Sequence, residues 1–284
     1  MTKIKLDADR LEFTMLIPLY SRAKRTICKG SDFKDHIALK IFKELNYDFR
    51  RIQDNYDEAA DICIEARTKA LDYLVDKYIQ RKPYTTIVNI GAGLDTPFNR
   101  LDNGKIFWYD LDLPDAIKLR RKFIKETDRN KFISRSMFDY AWFDEVNYTP
   151  ENGILFVASG VLMYFHEDKI KNFFIKLAER FPGGEFVFDA ITSRIALITA
   201  NRIMRSCGSR KVKFQWYLKS SKILNKWDNR VVLLNDMNYF DRLRRGFASS
   251  KLTKLKLYIA KLINAMKYYH LKFLDLRLSQ DLSL

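Results

Sequence analysis

The sequence predicts an α/β fold built on a parallel sheet, and three observations carry that expectation. Short apolar or β-branched runs recur from Thr85 onward, each closed by Gly, Pro or Asp. Amphipathic helical segments separate those runs, the signature of strands joined by crossover helices. Upstream of Thr85 the periodicity is helical and no clean strand occurs.

Residues 1–83, with no clean strand over 7–83, read as a helical N-terminal lid packed on a core of 84–284. Phe33–Leu45 and Ala59–Ile79 place apolar residues at three- and four-residue steps. In the second segment Ile62, Ala66, Lys69, Ala70, Tyr73, Leu74 and Tyr78 form a mostly apolar stripe, and Pro83 ends the helix. TTIVNI is the first strand, ended by Gly91. KIFWYDLD is the second, ended before Pro114. A Lys- and Arg-rich helix is expected over Asp115–Thr127, and KFISRSMFD gives a third strand. GILFVASG is a strongly apolar fourth strand. Glu167–Phe181 is an amphipathic helix with Ile170, Phe173, Phe174, Leu177 and Phe181 on one face. Pro182-Gly183-Gly184 turns the chain into EFVFDAI, the fifth strand. Residues 192–228 read as an inserted cap. Arg230–Leu234 and His270–Leu276 are expected as closing strands, with a basic helix at Lys254–Lys267 between them.

Composition narrows the function classes. The chain has 284 residues, 47% of them apolar, with 21 Phe and 15 Tyr, which supplies a core and excludes global disorder. The net charge of +16 raises the question of a nucleic-acid partner. Lys is spread along the whole chain, however, and no block of five or six like charges occurs. The densest clusters, Lys118–Lys122 and Arg242–Arg245, are interleaved with apolar residues. The charge therefore reads as a solvated surface, and no nucleic acid is expected as partner. Cys28, Cys63 and Cys207 are odd in number and far apart, which suits neither a metal site nor a disulfide framework. A reduced, cytoplasmic chain is the expectation. The stretch MTKIKLDADRLEFT lacks the apolar region of a signal peptide, and no run of about 18 apolar residues occurs. No membrane partner is expected.

The candidate site begins at Gly91-Ala92-Gly93-Leu94-Asp95-Thr96. Two glycines directly after a buried strand let backbone approach a ligand closely. A dinucleotide fingerprint would place Gly or Ala three residues after the second glycine; Thr96 stands there and Pro97 follows, which argues against a nicotinamide cofactor. Glycine pairs of this kind also occur in ordinary turns. Asp110 and Asp112 end the second strand about 20 residues further on, on one face with Trp108, where an acid accepts hydrogen bonds from ribose hydroxyls. Acids are also common at solvated strand ends. Asp139 closes the third strand candidate, either facing an adenine amino group or capping the next element. Three carboxyl ends in this order suit a nucleoside-type ligand lying across the switch point of the sheet.

Taken together these segments resemble the leucine carboxyl methyltransferase family, which includes polyketide O-methyltransferases. VNIGAGLDTPFNRL is similar to its glycine motif, WYDLDLPDAI to its aromatic-acid segment, and ASGVLMYF and GGEFVFDAI to its fourth and fifth strand regions. SRAKRTICKGSDFKDHIA and the arginine of IEARTKALDYLV also look similar, so the resemblance covers roughly residues 15–195. It implies a Rossmann-like class I methyltransferase with a mostly parallel seven-stranded sheet, helices on both faces and one antiparallel strand near an edge. It also implies S-adenosyl-L-methionine (SAM) as cofactor and a small molecule as methyl acceptor. By matching motifs, Gly91 and Gly93 would lie against the methionine part of SAM, and Arg67 would pair with its carboxylate. Asp112, with Asp110 beside it, would hold the ribose; Asp139 and Tyr140 would lie beside adenine. The family usually carries Glu where this chain has Ser159, which implies an altered SAM contact and points to the small-molecule branch.

Methyl transfer from a sulfonium needs acceptor oxygen and methyl carbon held in line. A carboxyl, with an ordinary pKa of about 4, is ionised at neutral pH; a phenol, at about 10, calls for a base or an electropositive site. His166 is a candidate base after the fourth strand, though it also begins HEDKIKNFF and serves equally as the start of that helix. Tyr164 is a candidate pocket wall, and Tyr20 and Arg22 are candidate lid or substrate contacts. Alternatives are a protein C-terminal carboxyl methyltransferase, an RNA methyltransferase suggested by charge, and a SAM-binding module without turnover. Ser159-Gly160-Val161-Leu162 stands where base-methylating enzymes of this fold usually carry Asn/Asp-Pro-Pro-aromatic.

Overall fold

The computed structural model describes residues 11–209, 212–243 and 250–276, with the side chains of residues 11 and 12 left aside. The first ten residues and Arg244 and Arg245 of the basic cluster lie outside that description. The N-terminal region is helical: α1 (Leu16–Ile27), α2 (His36–Glu44), α3 (Arg50–Asn55) and α4 (Glu58–Arg81). Asp35 and Asp57 cap α2 and α4 by accepting from Ala38 N and Ala60 N, which satisfies amides the helices leave unpaired. The core then runs β1 (Thr86–Ile90), α5 (Pro97–Leu101), β2 (Phe107–Asp112), α6 (Pro114–Arg120), β3 (Asn130–Ser134), β4 (Ile154–Ala158), α7 (Glu167–Arg180), β5 (Glu185–Ile191), α8 (Arg194–Ser206), β6 (Val231–Asn238), α9 (Lys251–Leu262) and β7 (Met266–Phe273).

The seven strands form one sheet in the order β3-β2-β1-β4-β5-β7-β6. β1 pairs in parallel with β2 and β4, and β4 with β5; β7 runs antiparallel between β5 and β6. This is the mostly parallel sheet with one reversed strand that the resemblance implies. Strand order reverses between β1 and β4, so their carboxyl ends open a crevice. Side-chain alternation sends Ile154 and Phe156 to one face, against Phe173, Phe174 and Leu177 of α7. It sends Leu155 and Val157 to the other, against Ala66, Ala70 and Leu74 of α4. All five predicted residues of the α7 face are fully buried.

Several boundaries differ from expectation. The basic helix expected to reach Thr127 stops at Arg120, because Lys122 N and Phe123 N bond to Leu119 O and Arg120 O and tighten the chain into a turn. That turn drops the Arg120 side chain into the interior. The closing strands lie at β6 and β7, four residues earlier for β7 than the expected His270 start. α9 ends at Leu262, and Asn264 then takes a left-handed conformation (φ +47°), which aims the chain into β7. The described residues of the cap region at 192–228 include α8 and a 3-10 turn at Ser221–Lys226.

Candidate functional site

The carboxyl ends of β1, β2 and β4, with α1, α4, α8 and α9, enclose a cavity of about 670 Å³. Its floor is the turn after β1. Gly91 has φ +68°, and a Cβ there would stand 2.4 Å from Val161 Cγ2. A Gly91→Ala variant therefore meets both a strained backbone and a wall, and should lose about 2 kcal/mol of stability together with cofactor affinity. Thermal melts and calorimetry check this; Val161→Ala in the same chain should recover part of the loss.

Asp112 stands at the rim of β2. Its Oδ2 accepts from Gly93 N at 2.7 Å and its Oδ1 from Leu113 N at 2.7 Å. These two amides fix the carboxylate at the cavity lip. Asp110 is different: it is fully buried, ion-paired with Arg120 at 2.7 Å, and accepts from Asn89 Nδ2 and Trp108 Nε1. It does not line the cavity, which corrects the expectation that it shares the ribose position. Arg120 in turn donates to Gly93 O and Asp95 O at 3.0 and 2.6 Å, so the pair is a buried bracket under the glycine turn.

A second bracket comes from the lid. Arg22 is buried, and donates to Asp35 Oδ2 (3.1 Å) and Leu94 O (2.9 Å). Arg100 bridges Asp35, Asp95 and Asp72. Burial opposes ionisation of Asp95, but Arg22 and Arg100 overcome it and hold its carboxyl well below the usual range. Arg22 lines the cavity and also ties α1 to the turn.

Arg67, on α4, faces the cavity beside Gly160, where an added Cβ would lie 2.5 Å from its Nη1. Burial opposes its charge most strongly; the Asp189 carboxylate, together with Tyr239, Tyr268 and Tyr56, outweighs that, and the guanidinium stays cationic. Asp189 is itself fully buried in β5, accepts from Gly160 N at 2.6 Å and from the Tyr239 hydroxyl, and is raised by burial. Ser159 lines the cavity and shares a 2.6 Å hydrogen bond with the Tyr268 hydroxyl. A guanidinium with charge and donors aimed into a cavity is suited to a carboxylate.

Tyr164 lines the cavity against Phe214, and burial pushes its phenol up to about 12. Burial likewise pushes the Cys63 thiol in the wall up to about 12. Four expected positions lie elsewhere. Tyr20 is packed among Phe42 and Phe49 within the lid, because its face of α1 turns away from the sheet. His166 is exposed at the start of α7, where its carbonyl accepts from Lys169 N and Ile170 N. Asp139 caps the 3-10 turn at Tyr140–Glu145 and pairs with Arg135. Tyr140 packs on Phe143 and Phe173. Arg135, Ser136 and Met137 line the β3 side of the cavity instead. Asn89, Arg120 and Asp189 escaped the sequence reading; an acid inside the apolar run EFVFDAI was the signal for the last.

The residues fit SAM. The cavity size is that of a small-molecule site, a glycine floor permits close approach, and a half-buried cation, Arg67, and a rim carboxylate, Asp112, both line it. Fold and site thus define a SAM-dependent class I methyltransferase. Residues 31–178 match the leucine carboxyl methyltransferase family, and the chain belongs to it. It is similar to the tetracenomycin polyketide synthesis O-methyltransferase of Streptomyces glaucescens, 27% identical over 74% of this chain and 76% of that protein. Among solved structures, a DUF574 family protein of Streptomyces avermitilis superimposes with a TM-score of 0.57 at 12% identity, covering 90% of this chain and 97% of that one. A structure from Thermobifida fusca gives 0.57 at 10% identity, over 91% and 94%. At such identities the likeness is one of fold.

Proposed function

We propose that the chain transfers a methyl group to an oxygen of a hydrophobic small molecule, and that this oxygen is already ionised at neutral pH. The single observation behind this reading is that no histidine lines the cavity, among the described residues, and that the Tyr164 phenol and Cys63 thiol in its wall hold their protons to about 12. Asp95 is too acidic. The walls beyond the glycine turn are apolar, with Ile17, Pro18, Ile64, Ile203, Met204 and Phe214, which favours a polyketide-like or other apolar acceptor over a hydrophilic one. Similarity to a polyketide O-methyltransferase supports the same reading.

Bound SAM supplies an electrophilic methyl group on a sulfonium. Arg67 would hold its carboxylate, Asp112 its ribose hydroxyls, and Leu113 and Met137 the faces of its purine. Tyr164 keeps its proton and orients an acceptor by donating a hydrogen bond. α1 and α8 exclude water from the cavity. Catalysis on this scheme rests on placement, since an ionised oxygen needs no proton removed.

The test is turnover of SAM with apolar carboxylic acids and acidic phenols. With a carboxylic acid, kcat/KM should be flat from about pH 6 to about pH 9, because acceptor and enzyme groups keep one charge state across it; it should fall as pH drops towards about 4 and the acceptor protonates. A rising limb centred near pH 7 would reveal an enzyme base and end this reading. Turnover only with a protein C-terminus, or only with RNA, would do the same.

A further inference from the structure

The two helices at the cavity mouth carry an unusual surface. Ile195 and Thr199 of α8, and Lys256 and Ile259 of α9, both line the cavity and are exposed, so they form its rim. Of the 12 exposed large apolar side chains among the described residues, eight fall on α8 and on α9 with its C-terminal turn, so exposed apolar surface is concentrated at the mouth. Ile195 is 74% exposed and Leu262 67%. Neither helix contains an acidic residue; α8 carries Arg194, Arg202 and Arg205, and α9 carries Lys251, Lys254, Lys256 and Lys261.

The arrangement on α9 is specific. At about 100° of rotation per residue, Thr253, Leu257 and Ala260 share one side, and these are its buried or half-buried residues. Leu252, Leu255, Ile259 and Leu262 share the opposite side, and all four are exposed. Lysines flank that outer stripe: Lys256 on one border, and Lys254 and Lys261 on the other. Lys256 and Lys261 reach Asp57 and Asp241, whereas Lys251 and Lys254 make no ion pair among the described residues. An outward apolar stripe bordered by lysines suits the boundary between lipid headgroups and acyl chains, where the stripe inserts and the ammonium groups meet anionic headgroups.

We infer that α9, with the exposed end of α8, docks the protein on an anionic lipid bilayer and turns the cavity mouth towards it. Charge complementarity selects this occupant: a second copy would bring an equally cationic helix against the stripe. No helix of the described residues is long and apolar enough to cross a membrane, so the contact is peripheral. The expectation of no membrane partner rested on missing spans and did not weigh this mode. The docking does not depend on the identity of the acceptor.

Cosedimentation tests it, with vesicles of phosphatidylcholine alone and with about 30 mol% phosphatidylserine. The chain should partition onto the anionic vesicles at least tenfold better. Raising salt from about 0.1 M to about 1 M, which shortens the screening length from about 10 Å to about 3 Å, should cut partitioning at least fivefold. A Leu255→Glu/Leu262→Glu variant should lose at least tenfold while binding SAM calorimetrically as the parent does. Should that variant fail to bind SAM, Lys251→Glu/Lys254→Glu provides the same comparison. Equal partitioning onto both vesicle types, or unchanged binding by the folded variant, overturns the inference. A dimer in sedimentation velocity that Leu255→Glu/Leu262→Glu dissociates overturns it too, by showing that a second copy covers the stripe.

Discussion

An Arg67→Met variant is expected to bind SAM about 100-fold more weakly than the parent, measured by calorimetry. Two effects add. A charge-assisted pair to a carboxylate contributes about 1.5–3 kcal/mol, lost when the guanidinium is removed. In addition, the Asp189 carboxylate loses the largest opposing charge acting on it, in a place where burial already raises its pKa. Its folded pKa then rises further above the ordinary 3.8. The sign follows: a raised folded pKa stabilises at low pH and destabilises as pH climbs through that value. The variant should therefore regain stability on acidification relative to the parent. Pairing it with Asp189→Asn should recover melting temperature but not SAM affinity, which separates the two contributions. Affinity within threefold of the parent would remove Arg67 from the cofactor site.

The largest loss of stability is expected from Arg120→Met. Breaking a buried ion pair from one side costs about 3–5 kcal/mol, because the remaining carboxylate is left in the interior. Here, among the described residues, Asp110 keeps only Asn89 and Trp108 as side-chain donors, and Gly93 O and Asp95 O each lose one. At about 2–4 °C per kcal/mol for a chain approaching this size, the melting temperature should fall by roughly 10 °C. SAM should raise the melting point of the variant less than that of the parent, since the glycine turn has lost its underside. Asp110→Asn/Arg120→Met, which removes both charges, should be more stable than Arg120→Met alone; a double variant as unstable as the single one would show that packing, not charge, sets the loss.

The parts of the fold that were legible from sequence are those buried on both faces. β1, β4 and β5 are predominantly apolar runs with a glycine at one end, buried along their whole length, and a parallel sheet between helices requires that pattern. β7 carries Lys267, Tyr268, Tyr269 and His270 in succession near its start, with no apolar run to mark it, so its start was misplaced although its presence was not. At the site, Gly91, Gly93 and Asp112 were legible because spacing after a strand is a local property. Asp110 followed the correct parity, sharing a face with Trp108, but it sits two residues, about 7 Å, deeper in the sheet, where an acid needs a buried partner. That partner, Arg120, was hidden in a segment that reads as surface charge. Tyr20, Asp139, Tyr140 and His166 depend on how helices and turns rotate on the sheet, which local spacing does not encode.

Arg22 joins two regions that the chain separates by some seventy residues. Through it α1 and the cofactor turn share one set of charges, so neither loosens alone. Order in one end of the polypeptide and grip on the methyl donor are thereby a single equilibrium. Reciprocity then runs both ways: whatever steadies α1 tightens the hold on the donor, and a resident donor steadies α1.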